Sequence, residues 1–366
     1  MSPNKRTGRK RDYVGVLSSV FAIVIGLLVG FVILLICNPS QALPGFVTIL
    51  TGAFTHGLKG VGQVFYYATP IILTGLSVGF AFKTGLFNIG TPGQFIVGAF
   101  AAVYVGIMWN GLGRIQWAVA LLAAILGGAL WGMVPGVLKA CFNVNEVIAS
   151  IMMNYIGMYM VNWIVKSYKP LFNNLRNESR NVAATAQIPK MGMDKLFPES
   201  SVGGGILLAV AAVLLIWVIL NKTTFGYELK AVGFNRDAGR YAGINEKRNI
   251  IMSMVIAGAI AGMAGGLLYL AGTGKHIEIK DVLAAEGFTG ISVALLGLSH
   301  PIGVLFSGLF IAYLTAGGFY LQLFEFSTEI IDIIVAVIIY FSAFALIVKT
   351  ILTRMNRKRE KGGGQI

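Results

Sequence analysis

The chain has 366 residues, 56% hydrophobic and only 12% charged, with a mean hydropathy of +0.76. Soluble domains carry about a quarter charged residues, so this composition excludes an ordinary soluble enzyme and points to a bilayer. The net charge of +14 reads as membrane topology and attraction to anionic lipid, with no case for nucleic-acid binding.

Residues 1–13 form a basic tail carrying Lys5, Arg6, Arg9, Lys10 and Arg11. The apolar run 14–36 is longer than a signal-peptide core and no clear small-x-small cleavage site follows it, so an uncleaved anchor is expected. Further runs at 62–82, 93–109, 116–138 and 146–165 follow, then a polar loop at 167–201 and a run at 202–220. After a basic loop at 221–249 come runs at 250–270, 283–298, 301–319 and 329–348, and a second basic tail at 351–366. Spanning the hydrocarbon takes about 20 apolar residues. The chain therefore reads as an all-α polytopic membrane protein of about ten transmembrane helices, its membrane domain covering 14–350. Ser299, His300 and Pro301 alone separate the eighth and ninth runs, which predicts a tight hairpin at the proline, with one long buried helix as the alternative.

Basic residues set the expected orientation. Both tails with Lys349, the loop 221–249, Lys83 and Lys139 hold 19 of the 29 Lys and Arg residues, and ten spans place all of them on the cytoplasmic side. Loop 167–201 then lies outside. Cys37 and Cys141 fall at opposite faces and do not pair, and His56, His276 and His300 are scattered, so neither a disulfide nor a metal site is indicated.

No catalytic motif is present. GTGK at 272–275 resembles the end of a phosphate loop, but the complete pattern needs Gly where Tyr269 stands and Ser or Thr where His276 stands. Glu146, Glu286, Glu325, Glu329 and Asp332 lie at predicted span ends or in loops. The polar residues deep in spans are neutral: Thr74, Ser77, Asn154 and Ser292. That pattern suits a neutral polar solute and weighs against a stand-alone ion-coupled carrier, which usually keeps ionisable groups within its spans.

Two spans are interrupted. GLFNIGTPGQF at 85–95 places three glycines, a proline, an asparagine and a glutamine between apolar runs. Broken helix survives at membrane depth only inside protein or beside a water-filled cavity. A second glycine-rich stretch, GFTGISVALL at 287–296, occupies the corresponding place in the second half. Paired short, glycine-interrupted spans in oppositely oriented halves point to inverted repeats and a transport site. Asn88, Gln94, Asn154, Phe288, Thr289 and Ser292 are the candidate pathway residues, with Gly90 and Gly93 shaping the turn. Phe87, Phe95 and Tyr155 stand beside them. The glycine ladders at 128/132/136 and 258/262/266 read as close helix packing.

GLFNIGTPGQF, NEVIASIMMNYI at 145–156, GYELKAVGFNRDAGRYAGI at 226–244 and GFTGISVALLG at 287–297 occur in this order. Over residues 60–350 the chain thereby resembles the permease family of ABC importers that includes branched-chain amino acid and ribose permeases, closest to its nucleoside branch. The resemblance implies a cobalamin-importer-like (type II) fold in a bacterial cell membrane. It also implies a second, unequal permease as partner, a cytoplasmic ATPase that uses the ATP, and an external solute-binding lipoprotein. No cofactor is expected on this chain itself. Many family members carry Glu where this chain has Pro92. Within loop 221–249 a short helix is expected with Asp237 near its start and Gly243 near its stop. By resemblance it is the coupling helix that docks on the ATPase, with Gly233, Asn235, Ala238, Tyr241 and Gly243 at the contact. A nucleoside offers base edges to amides and a flat face to aromatic rings; a sugar or a branched-chain amino acid is the alternative solute.

Overall fold

A computed structural model describes residues 5–343; the tail 351–366 and the last residues of the final predicted span lie outside them. The chain divides into two compact units, one formed by its two ends and the other by residues 53–313.

The terminal unit contains α1 (Lys5–Cys37), most of α2 (Ala42–Thr55), the chain from Leu314 onward and, at its end, α14 (Thr328–Ala343). α1 starts inside the stretch read as a tail. Gly30 of α1 lies against Ile334 of α14, and the Phe31 ring packs tilted against Phe46 of α2 with centroids 5.0 Å apart. Gly45 and Gly52 let α2 approach Phe326 and Tyr320 closely. α2 falls between the first two expected runs; its 14 apolar residues are too few for a span, so hydropathy alone does not mark it.

The larger unit runs through α3 (Gly57–Lys83), α4 (Thr91–Met108), α5 (Gln116–Phe142), α6 (Glu146–Ser167), α7 (Met193–Leu196) and α8 (Gly205–Lys222). It continues with α9 (Thr224–Phe234), α10 (Arg236–Tyr241), α11 (Glu246–Tyr269), α12 (Ala285–Leu296) and the first three turns and more of α13 (Pro301–Phe319). α11 is its axis, packed against α3, α4 and α5. The predicted ladders make that contact: Gly128 and Gly132 of α5 abut Gly258 of α11, and Gly98 of α4 abuts Gly262. With no side chain on either partner, the backbones approach closely and van der Waals contact replaces the hydrophobic drive that lipid removes.

Among the described residues seven helices are long and apolar enough to cross a membrane, namely α3, α4, α5, α6, α8, α11 and α13. α12 differs from the run predicted at 283–298. Its 12 residues rise about 18 Å at 1.5 Å per residue, roughly half a bilayer. The chain turns at Leu298 and Ser299, both in the left-handed region, and α13 returns antiparallel, so that the Ser307 hydroxyl donates to the Val293 carbonyl. The loop 167–201 is also more ordered than its polarity implied. A hairpin of β1 (Phe172–Asn173) and β2 (Glu178–Ser179) clasps the loop before α12: Ser179 N–H donates to Ile277 O at 2.9 Å and Ile279 N–H to Asn177 O at 3.1 Å.

Candidate functional site

The interrupted motif 85–95 ends α3 and starts α4 through a turn whose polar groups are consumed locally. Asn88 and Gln94 are buried and bonded to each other twice, Asn88 Nδ2 to Gln94 Oε1 at 2.9 Å and Gln94 Nε2 to Asn88 Oδ1 at 3.1 Å. Gly90 N–H also donates to Asn88 Oδ1. Asn154, buried on α6, holds the turn from the other side. Its Oδ1 accepts from Gly93 N–H at 2.8 Å and its Nδ2 donates to Ile89 O at 3.0 Å. Backbone groups freed by the helix break are thus satisfied by side-chain amides, as buried peptide groups must be. Gly93 sits so near α6 that a Cβ on it would lie 2.8 Å from the Asn154 Cα. Ser150, one turn before Asn154, was not anticipated. It is buried against Gly90, and its hydroxyl has no hydrogen-bond partner among the described residues. Its signal in the sequence was the i, i+4 spacing to Asn154.

The second interrupted helix meets the first head to head. A Cβ on Gly287 of α12 would stand 2.5 Å from the Cα of Pro92, in the first turn of α4. Gly290, one turn on, packs equally closely on Thr74 of α3. Pro92 is therefore a contact residue between two helix starts; its ring fills the gap that Gly287 leaves. Around this junction Ser292 is buried, Thr289 is half-buried with its hydroxyl donating to Ala285 O, and Phe288 is 41% exposed. Just before α12, Lys275 pairs with Glu286 at 2.9 Å and lies 5.9 Å from the Tyr269 ring centre. Burial disfavours the Lys275 ammonium, but the Glu286 carboxylate outweighs it and holds the pKa above the ordinary lysine value.

The residues of loop 221–249 form a second group. Asn235 caps α10, its Oδ1 accepting from Ala238 N–H at 3.0 Å, and Gly243 follows the helix with φ of 79°. Helix start and stop thus fall where Asp237 and Gly243 placed them. α9 precedes it, capped by Thr223, and was missed because its 11 residues were read as loop. Ala238 and Tyr241 are exposed, Tyr241 almost completely, as is Phe234. Lys139 and Glu146 pair at 2.8 Å across the end of α5 and the start of α6.

The two groups touch at one point. Gly233 at the end of α9 and Gly85 in the α3–α4 turn approach backbone to backbone: a Cβ on Gly85 would lie 2.6 Å from Gly233 Cα, and one on Gly233 2.6 Å from Thr84 C. Gly85 has φ of 77°, where a side chain would be strained as well as crowded. Beside this contact the Thr84 and Ser253 hydroxyls bond to each other, tying the turn to α11.

The family described as branched-chain amino acid transport system / permease component matches residues 60–343. The guanosine ABC transporter permease protein NupP of Bacillus subtilis is 38% identical over 340 residues, covering 93% of this chain and 96% of its own length. The nucleoside ABC transporter permease protein NupB of Lactococcus lactis is 34% identical over 345 residues, 93% of each chain. The glucose ABC transporter permease protein TsgB13 of Haloferax volcanii is 32% identical over 304 residues, 81% of this chain and 78% of its own. No solved structure matches.

Proposed function

This chain belongs to the permease family of branched-chain amino acid transport systems, and from that premise we propose that it lines the solute path of a nucleoside importer. It is a multi-pass membrane protein and the permease subunit of an ABC transporter. Two relatives covering nearly its whole length are named for guanosine and for nucleosides, which favours that substrate over the glucose of TsgB13. The observation that carries the transport reading is the meeting of two helix starts at Pro92 and Gly287. Such ends at membrane depth are the usual place for a solute site, and they support an inverted-repeat, cobalamin-importer-like fold.

In this reading both termini and α9–α10 face the cytoplasm, the ordered loop 167–201 faces out, and residues 14–350 form the membrane domain of a bacterial cell-membrane permease. α10 docks on the ATPase through Asn235, Ala238, Tyr241 and Gly243, with Tyr241 filling a cleft of that partner. Gly233 passes the movement to the α3–α4 turn at Gly85. A second permease and an external solute-binding lipoprotein complete the importer. Of the candidate pathway residues, Phe288 and Thr289 face the solute directly and Ser292 backs them, whereas Asn88, Gln94 and Asn154 with Gly90 and Gly93 hold the shape of the junction.

Uptake of radiolabelled guanosine by cells lacking their own nucleoside transport, carrying the full importer, tests the substrate. Unlabelled adenosine is expected to compete, while ribose, glucose and leucine are not. Competition by glucose or leucine, with none by adenosine, refutes the nucleoside assignment.

A further inference from the structure

Three helices of the larger unit leave long faces uncovered, and one is unlike the others. On α5 the exposed large residues are Leu122, Leu126, Leu130, Met133 and Val134. On α8 they are Leu207, Leu214, Leu215 and Val218. Both faces are aliphatic, as contact with lipid tails requires. On α6 the exposed large residues are Ile148, Ile151, Met152, Tyr155, Ile156, Tyr159 and Trp163. Among these Ile148, Met152, Tyr155, Tyr159 and Trp163, spaced by three or four residues, run along one face and carry aromatic rings the other two helices lack there. Tyr155 is 47% exposed and Tyr159 53%.

Their depth matters. α6 has 22 residues, Glu146–Ser167, about 33 Å at 1.5 Å per residue, so it crosses the hydrocarbon once. Trp163 lies near one end, where interfacial aromatics belong. Tyr155 and Tyr159 lie at the middle, where a lipid-facing phenol hydroxyl would find no water and no hydrogen-bonding partner. The opposite side of the same helix presents Asn154 to the α3–α4 turn, with Gly157 against Trp131 of α5. One helix thus holds the junction on one side and exposes two phenols at the bilayer centre on the other.

We propose that the Met152–Tyr155–Tyr159 face of α6 is a water-exposed wall of the solute path, and that the two tyrosine rings, one helical turn apart, offer stacking faces to a flat heterocyclic base. This rests on the nucleoside reading above and adds the residues that select the base. Stacking accepts any purine or pyrimidine because each has a π face, and leaves the sugar unselected. Two successive faces also let a base step along the helix without being trapped at one site.

The test uses the whole importer in membrane vesicles, with Cys37 and Cys141 replaced by Ser. Tyr155→Cys and Tyr159→Cys are compared with Leu126→Cys and Leu130→Cys on α5, using a charged, water-borne methanethiosulfonate during turnover. A thiol reacts as its thiolate, which forms only where water reaches. Labelling at 155 and 159 should be at least about tenfold faster than at 126 and 130, and guanosine but not ribose should slow it. Equal, slow labelling at all four positions would assign the face to lipid or to a dry seam with the second permease, and would overturn the proposal. Kinetics give a separate readout. Tyr155→Phe and Tyr159→Phe should keep KM for guanosine near its normal value, while Tyr155→Leu and Tyr159→Leu should raise it about tenfold through lost stacking. Unchanged KM in both Leu variants removes the stacking role even if the wall is wet. Failure of guanosine uptake in the unaltered importer would sink the nucleoside reading but leave the labelling contrast intact, so the two outcomes are separable.

Discussion

The two helix starts that meet at Pro92 and Gly287 are built in opposite ways. At the start of α4 every side-chain amide is buried and spoken for: Asn88 by Gln94, and Asn154 by Gly93 N–H and Ile89 O. At the start of α12 the motif leaves Phe288 open and Thr289 half-open, and ties its acidic residue to Lys275 on the preceding loop. Both stretches look alike in sequence, glycine-rich and polar between apolar runs. One is a brace and the other is a surface. Polarity within a span therefore marks where the backbone is broken, and exposure separates the groups that repair the break from those left open.

The largest expected effect tests the brace. Gly93→Val adds a branched side chain where even a Cβ would meet the Asn154 Cα at 2.8 Å, and overpacking against backbone cannot be relieved by a rotamer change. Intact, monodisperse permease should be nearly absent after detergent extraction; normal recovery would mean that α4 and α6 do not abut there.

Asn154→Leu set beside Phe288→Ala sharpens the comparison. The first strands Gly93 N–H and Ile89 O in a buried turn, which costs about 1–3 kcal/mol for each unpaired group, so thermal unfolding in detergent should shift clearly downward. Phe288→Ala should leave the unfolding temperature close to normal and lower guanosine uptake per assembled importer. The reverse pattern would exchange the roles of the two helix starts.

Gly233→Ala probes the joint between them and α10. A methyl there would lie 2.6 Å from Thr84 C, pushing the α9 end off the α3–α4 turn. ATP hydrolysis should persist while uptake per ATP consumed falls; a proportionate loss of both would point instead to failed docking. Lys275→Gln should matter least. The Lys275 and Glu286 side chains are 40% and 28% exposed, and exposed pairs contribute at most about 1 kcal/mol. A small drop in unfolding temperature is expected, and a loss as large as that of Asn154→Leu would show that the α12 start is braced after all.

Hydropathy located the long helices, and the motif order led to the family, because both are written in local composition. Asp237 and Gly243 marked α10 for the same reason: first-turn acidic residues and left-handed glycines act within a single turn, whereas the Asn235 cap came from the structure. Length deceived at α12, read as a full span, and left α2 unmarked, since apolar runs of 12 and 14 residues carry no sign of whether they cross. The Gly85–Gly233 contact was invisible, as two glycines 148 positions apart signal nothing until the fold brings them together. Tyr155 was noted only as a neighbour of Asn154, and Tyr159 not at all. Aromatic residues at helical spacing look the same whether buried or open.

The transport claim itself is tested most directly in sealed vesicles reconstituted with this chain, the second permease, the ATPase and the binding protein. With ATP at the ATPase face and guanosine at the binding-protein face, the nucleoside should accumulate against its gradient. Accumulation should cease with a non-hydrolysable ATP analogue and be indifferent to collapse of proton and sodium gradients. Accumulation by this chain alone, driven by an ion gradient without ATP, would contradict it.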